Sequence, residues 1–384
     1  MHTRAVKLVF LYLLVASTAA KKTLDSDIRA LVAFKAAIDS ASIPSWSCLA
    51  SWDFSSVDPC DTPRRTHFIC GITCDNSTTS SAARVTALAL DSAGYAGPIT
   101  PRLADLTALT LLDLSSNSFR GPIPPSLASL PSLTTLALST NSLSGPLPPS
   151  LPNLTSLQSL DLSQNQFRGR IPIALHLMSS LNHLDLSFNA LSGALPDLPS
   201  NLVVLAVKGN LLTGALFRRV FSSLEHLAVL ELSDNQLNGK LGGWLFALPA
   251  LQQINLSNNK LSALEVWKSS TLVAVDLSYN RLQGLLPTNF SLLPLLAALS
   301  LRHNQFWGPL PREYGQMVAE GRVRRMYLDS NFLQGNVPPA FFKFSGTLTG
   351  SVGDNCLRNC PPTLSFCMPP QKSAASYRQR LLAL

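Results

Sequence analysis

Leucines recur along this chain in one frame. The segment Leu109-Thr110-Leu111-Leu112-Asp113-Leu114-Ser115-Ser116-Asn117 shows it as L-x-x-L-x-L-x-x-N. The alternation predicts a short strand, with Leu112 and Leu114 on one face and the intervening residues on the other. The frame returns at Asn141, Asn165, Asn189, Asn210, Asn235, Asn259, Asn280, Asn304 and Asn331, in steps of 24, 24, 24, 21, 25, 24, 21, 24 and 27 residues. A further copy opens at Val85, with Ala93 in the asparagine slot. One such unit cannot bury its apolar face alone. Stacked copies share a continuous core, so the beat predicts a solenoid. Past each strand, backbone groups lack sheet partners. An asparagine amide both donates and accepts, so stacked asparagines can satisfy them.

After each asparagine a second pattern follows, apolar-x-Gly-x-apolar-Pro, as in Phe119-Arg120-Gly121-Pro122-Ile123-Pro124. Glycine fills its slot in ten of eleven copies, Ala263 being the exception, and proline follows in seven. Glycine permits backbone angles closed to other residues and proline removes a donor, so together they turn the chain onto the convex side. The two 21-residue copies leave little room for a convex helical turn. The 27-residue step holds three extra residues, within 312–322. This pattern resembles the plant-type extracellular leucine-rich repeat.

The flanks resemble that family's caps. Residues 25–38 place Ile28, Ala30, Leu31, Phe34 and Ile38 at helical spacing, followed by Trp52, Asp58-Pro59-Cys60 and Cys70-Gly71-Ile72-Thr73-Cys74. At the other end, Asn355-Cys356, Cys360, Cys367 and Gln371-Lys372-Ser373 look like the cap of secreted or receptor-like members, with Ser376 and Tyr377 where a further cysteine is expected. The resemblance implies an α/β leucine-rich repeat solenoid: a right-handed superhelix with a parallel concave sheet and disulfide-bonded caps at both ends. The organisation expected is a signal peptide over 1–20, an N-terminal cap over 21–84, about eleven repeats over 85–345, a C-terminal cap over 346–370 and a basic tail over 371–384.

Composition and cysteine usage set the compartment. Leucine appears 72 times in 384 residues, and charged residues are only 14%, because the frame fills its slots with Leu, Asn, Gly, Pro and Ser. Basic His2, Arg4 and Lys7, the apolar run 8–16 and the small residues 17–20 read as a secretory signal, too short to span a bilayer. No other segment is apolar for long enough to span one, so no direct membrane span is expected. Cys48, Cys60, Cys70 and Cys74 lie at one end and Cys356, Cys360 and Cys367 at the other, which suggests disulfides in the caps of a secreted protein. Four N-terminal cysteines allow three pairings, and three C-terminal ones leave one over. The sequons Asn76, Asn153, Asn255 and Asn289 are candidate glycosylation sites. Without residues 1–20 the formal charge of +8 becomes +6, and 18 basic and 18 acidic residues cancel over 21–300. All of the excess lies from residue 301 onward. A basic pI that first suggests nucleic acid or membrane is a solenoid positive at one end.

The outward strand positions form the concave face, the usual binding surface of a solenoid. Asp161 and Asp185 occupy its central column on neighbouring strands, at the spacing of a paired-carboxylate hydrolase. The alternative is that L-D-L-S belongs to the repeat frame itself, on an open sheet with no desolvating pocket. His183 and His303 stand five repeats apart and form no triad. No phosphate loop, metal spacing or kinase signature is present, so neither enzyme activity, nor a cofactor, nor a metal is expected. Tyr279, Arg302, His303, Arg324, Arg325 and Tyr327 fall on the last three strands, and Arg and Tyr dominate binding hot spots. His183 and Phe188 form a second candidate patch. Some peptide-sensing relatives use Arg-x-Arg on this face. Arg322-Val323-Arg324 matches the letters, but Val323 fills a leucine slot, so that role is not carried over.

The expectation is a secreted recognition protein of the extracellular space or cell wall, peripheral to the plasma membrane at most. Its ligand would be a protein, peptide or wall glycan, in signalling or defence, with a membrane-bound receptor kinase or an acidic polysaccharide as further partners and no nucleic acid. The alternatives are an inhibitor of pathogen wall-degrading enzymes, like polygalacturonase-inhibiting proteins, and a structural protein binding pectin.

Overall fold

The alternating leucines meet across repeats because each strand pairs with its counterpart one repeat on. A computed structural model describes residues 22–55, 57–60, 70–75, 82–269, 271–343 and 348–373. The segment 1–20 expected as a signal, Asn76 and the tail from 374 lie outside the described residues. A thirteen-stranded sheet runs along the solenoid. Ile72–Cys74 of the cap pairs antiparallel with Val85–Ala89, and every later pairing is parallel, through Leu111–Asp113 and on to Arg325–Tyr327 and Thr349–Ser351. Leu88, Leu112, Leu136, Leu160, Leu184, Leu205 and Leu230 stack behind it as one buried column.

Behind this core the chain forms a second set of parallel strands. They lie in an eight-stranded sheet ending at Lys260–Leu264 and a four-stranded one starting at Gln283–Gly284. All ten glycines of the repeat slot have positive φ, as at Gly121 (+83°) and Gly308 (+86°). Ala263 does not share that conformation. In its repeat the ladder slips, with Gly239 opposite Leu261 but Lys240 opposite Ala263. Convex helices follow repeat length. The 27-residue copy carries the α-helix Arg312–Ala319, whereas no helix lies between Ala190–Gly193 and Val204–Ala206 in a 21-residue copy.

The asparagine ladder holds the turns. Asn141 Oδ1 accepts the Phe119 N–H at 2.9 Å, and Nδ2 donates to the carbonyls of Leu114, Leu138 and Ser139. The pattern recurs from Asn165 to Asn355. Its last rung is not an asparagine. Gln371 Oε1 accepts the Leu357 N–H and its Nε2 donates to the Val352 carbonyl, the same two groups that an asparagine of a following repeat would serve. At the other end Asn117 Oδ1 takes the Gly94 and Tyr95 N–H groups, and Tyr95 donates from its hydroxyl to Asp91 while accepting the Leu49 N–H.

The caps seal the exposed ends of the core. Helix Asp25–Ala37 buries Ala30, Leu31 and Phe34 as its spacing predicts, and Phe34 stacks on Phe119. It also buries Asp27, which pairs with Arg84 at 3.0 Å and accepts the Val85 N–H. Cys48–Cys70 and Cys60–Cys74 staple this cap, and Cys360–Cys367 closes the other, so Cys356 is the cysteine left over. Burial pushes its thiol pKa up.

Substituting Asn259→Ala strands a buried Leu237 N–H and its carbonyl partners, each a penalty of about 1–3 kcal/mol. The expected outcome is a clear drop in the urea midpoint. Gln371→Ala should speed amide hydrogen exchange at Leu357 while leaving Phe119, at the opposite end, unchanged.

Candidate functional site

Three outward rows on the concave sheet place the candidate side chains. One row runs His183, Val204, Val229, Gln253, Ala274, Ala298, Arg325; the next runs Asp161, Asp185, Ala206, Glu231, Asn255, Asp276, Ser300, Tyr327. A third row is the residue before each ladder asparagine. There φ lies near +54°, as at Phe188, Tyr279 and His303, which throws the side chain out onto the rim.

At the C-terminal end this rim assembles an aromatic clamp. Tyr279 stacks on His303 with ring centres 4.2 Å apart and planes at 11°. The Arg302 guanidinium lies 5.4 Å from the Tyr279 ring centre and 5.5 Å from that of Tyr327, within cation–π range of both. Behind it Asp329 takes the slot that serine fills in most repeats. It is buried, its Oδ1 has no hydrogen-bond partner, and burial pushes its carboxyl pKa up, against the pull of Arg302 and His303.

Beside the clamp lies a depression of about 420 Å³. Its floor is low because two adjacent strands carry small outward residues, Ala274, Ala298 and Ser300. Gln253 and Asn255 rise on one side, and Arg325 and Tyr327 on the other. Glu231, Asp276 and Arg302 complete the wall. Burial, more than any neighbour, pushes the Glu231 carboxyl up; a hydrogen bond from Asn255 and the charge of Lys208 oppose this.

Of the residues singled out in the sequence, Tyr279, Arg302, His303, Arg325 and Tyr327 come together here. Arg324 is exposed but does not line the depression, and Arg322 pairs with Glu320 and donates to the Ser291 carbonyl. Phe188 lies over Gly209, whose missing Cβ leaves room for the ring, with Lys208 5.3 Å from the ring centre. His183 sits on the neighbouring strand row, half-buried. Asp161 and Asp185 are register neighbours, but each carboxylate accepts from its own repeat, Asp161 from Ser163 and Asp185 from the Ser187 N–H. Asn153 is exposed on a convex turn, and Asn289 is exposed with its amide donating to the Val266 carbonyl. Asn255 lies half-buried in the depression, its Oδ1 accepting from Ser257. The repeat frame places Glu231, Asp276 and Ser300 on the concave face, but they, Gln253 and the floor alanines are not among the ligand-binding candidates drawn from the sequence. The signal for the low floor is a pair of alanines, Ala274 and Ala298, in successive copies of one outward slot.

Models described as Leucine rich repeat match residues 200–261 and, separately, 108–130, 132–154, 156–178, 180–202 and 271–293. Fold, frame and these matches agree: the chain is a leucine-rich repeat protein of the plant extracellular type. Among curated proteins it is similar to Receptor-like protein 7 of Arabidopsis thaliana, 32% identical over 151 residues, which is 37% of this chain and 14% of that protein. The chain thus aligns with only a small part of that relative's length. Among solved structures it is similar to a TDR receptor, with TM-score 0.63 and 26% identity over 68% of this chain and 46% of the other. A plant ice-binding protein matches with TM-score 0.60 and 26% identity over 92% of this chain and all of its own. The plant peptide hormone receptor RGFR1 in complex with RGF2 matches with TM-score 0.50 and 25% identity over 72% and 54%. Among the described residues no helix is long and apolar enough to cross a membrane.

The raised Glu231 pKa sets a pH dependence. Folding favours the protonated acid, so this contribution is fully present below the unfolded value and is lost as pH rises through the folded one. Glu231→Gln keeps an acceptor for Asn255 without the charge. Its urea midpoint relative to wild type should therefore be higher at about pH 7 than at about pH 4; an equal difference at both would show that Glu231 does not titrate this way.

Proposed function

We propose that this chain is a secreted recognition protein that holds an extracellular peptide or protein segment on its concave sheet, in signalling or defence. The observation that carries the reading is Arg302, whose guanidinium is held between two tyrosine rings beside an open depression. A guanidinium fixed in place loses little freedom on binding and offers its donors to a carboxylate or similar anion. RGFR1, a structure of similar fold, is a peptide hormone receptor in complex with RGF2, which supports a peptide as the ligand class here.

One arrangement favours a peptide over an acidic polysaccharide. The central row beside the arginines is acidic, with Asp161, Asp185, Glu231 and Asp276, and would repel a polyanion laid along the face. The positive end of the solenoid is a short patch rather than a track.

Proximity labelling in intact plant cell walls tests the reading, with an Arg302→Ala/Arg324→Ala/Arg325→Ala variant as control. Loss of a central arginine anchor costs about 2 kcal/mol, roughly thirtyfold in affinity, so the wild-type partner set should thin out in the variant. An identical partner list would overturn the role of this patch. Retention on polygalacturonate that vanishes with salt would favour pectin binding instead.

A further inference from the structure

The depression carries both signs of charge, and its walls do not neutralise each other. Arg302 and Arg325 form no ion pair among the described residues. Asp276 likewise forms none. Its Oδ1 accepts the Ser278 N–H and hydroxyl at 2.9 and 2.6 Å, which fixes the carboxylate in the wall of the depression. Glu231 stands two strands before Asp276 in register; Arg325 lies two strands after it in the neighbouring row, in register with Ala274 and so offset by two residues along the strand. At about 4.8 Å per strand step and about 3.3 Å per residue along a strand, Asp276 and Arg325 are roughly 10 Å apart along the solenoid and about 7 Å across it, about 12 Å in all. The floor between them is alanine and serine, so a backbone can lie close to the sheet. An extended chain rises about 3.3 Å per residue, so that separation is about three to four residues of a ligand laid obliquely across the strands.

Resting on the recognition reading above, we infer that this depression selects an extended peptide segment bearing a basic and an acidic residue two to four positions apart. The basic residue lies over Glu231 and Asp276, and the acidic residue over Arg302 and Arg325. The tyrosine rings that sandwich Arg302 hold its guanidinium ready for the acid. Asp276 is held by its serine as firmly as Asn255 is by Ser257 one repeat earlier, so its carboxylate is a fixed partner for the base. A ligand of single charge satisfies one wall and faces like charge at the other. The selection therefore works by repulsion as well as attraction.

The experiment is panning of a phage-displayed random heptapeptide library on the full secreted chain and on two variants. The first is Glu231→Gln/Asp276→Asn, which keeps the serine cap as the native Asn255 does. The second is Arg302→Gln/Arg325→Gln. Wild type should enrich peptides with Lys or Arg two to four positions from Asp or Glu. The first variant should lose the demand for the base and keep that for the acid, and the second should do the reverse. A synthetic wild-type hit should weaken about fivefold when either of its charges is replaced by alanine, the scale of a solvent-accessible ion pair. This peptide-side measurement stands even if a protein variant fails to fold. Enrichment of peptides without the charge pair would overturn this inference while leaving recognition of peptides intact. No enrichment above the uncoated surface would overturn both.

Discussion

A buried asparagine amide, reused once per turn, is the interaction on which the rest of this solenoid depends. The strand-to-turn corner strips backbone groups of their sheet partners inside an apolar core, where an unpaired group costs about 1–3 kcal/mol. From Asn141 onward each ladder asparagine serves three carbonyls and one N–H, and reaches into the preceding repeat to do so. The same contact that satisfies the corner therefore fixes the stacking register. Both ends of the ladder are closed by other chemistry. Tyr95 and Asp91 tie the first corner to the N-terminal cap, and Gln371 supplies the last amide from beyond the repeats. Lys372 adds to that end by donating to the Asn331 and Asp354 carbonyls.

Fixed register turns the concave face into a lattice, and the site is a local departure from its regular filling. Two small residues in successive copies of one slot open a depression. A tyrosine in place of the usual aspartate, together with an arginine in place of the usual serine, gives its wall an aromatic-held cation. The left-handed residue before each ladder asparagine carries Tyr279 and His303 out to the same rim. The aspartates of the regular copies are tied to the serine two residues on, which makes them part of the frame and gives the face its negative centre. The function proposed for the chain follows from those departures and not from the fold, which many unrelated recognition roles share.

Much of this was legible in the residues. The beat of asparagines, the glycine slot and the apolar spacing of the first helix correspond to the ladder, the positive-φ turns and the buried face of Asp25–Ala37. The cluster of Tyr and Arg on the last strands was visible because the frame assigns every residue an inward or outward direction. Less legible were contacts between residues far apart in sequence without a repeat to relate them. The burial of Asp27 against Arg84 is of this kind, as is the use of Gln371 as a final rung.

The solenoid, the length of its turns and which side chains face out follow from periodicity within one repeat and from the need to bury a leucine face. The cysteine clusters and the charge gradient are read directly from residue positions. Which cysteines pair, that Cys356 is left over, which carboxylates are tied up and which arginine lies within reach of which tyrosines emerge from the folded chain alone. Those outcomes depend on side chains from different turns meeting at ring-stacking and hydrogen-bonding distances. The stacking of the turns sets such distances, and no single repeat contains them.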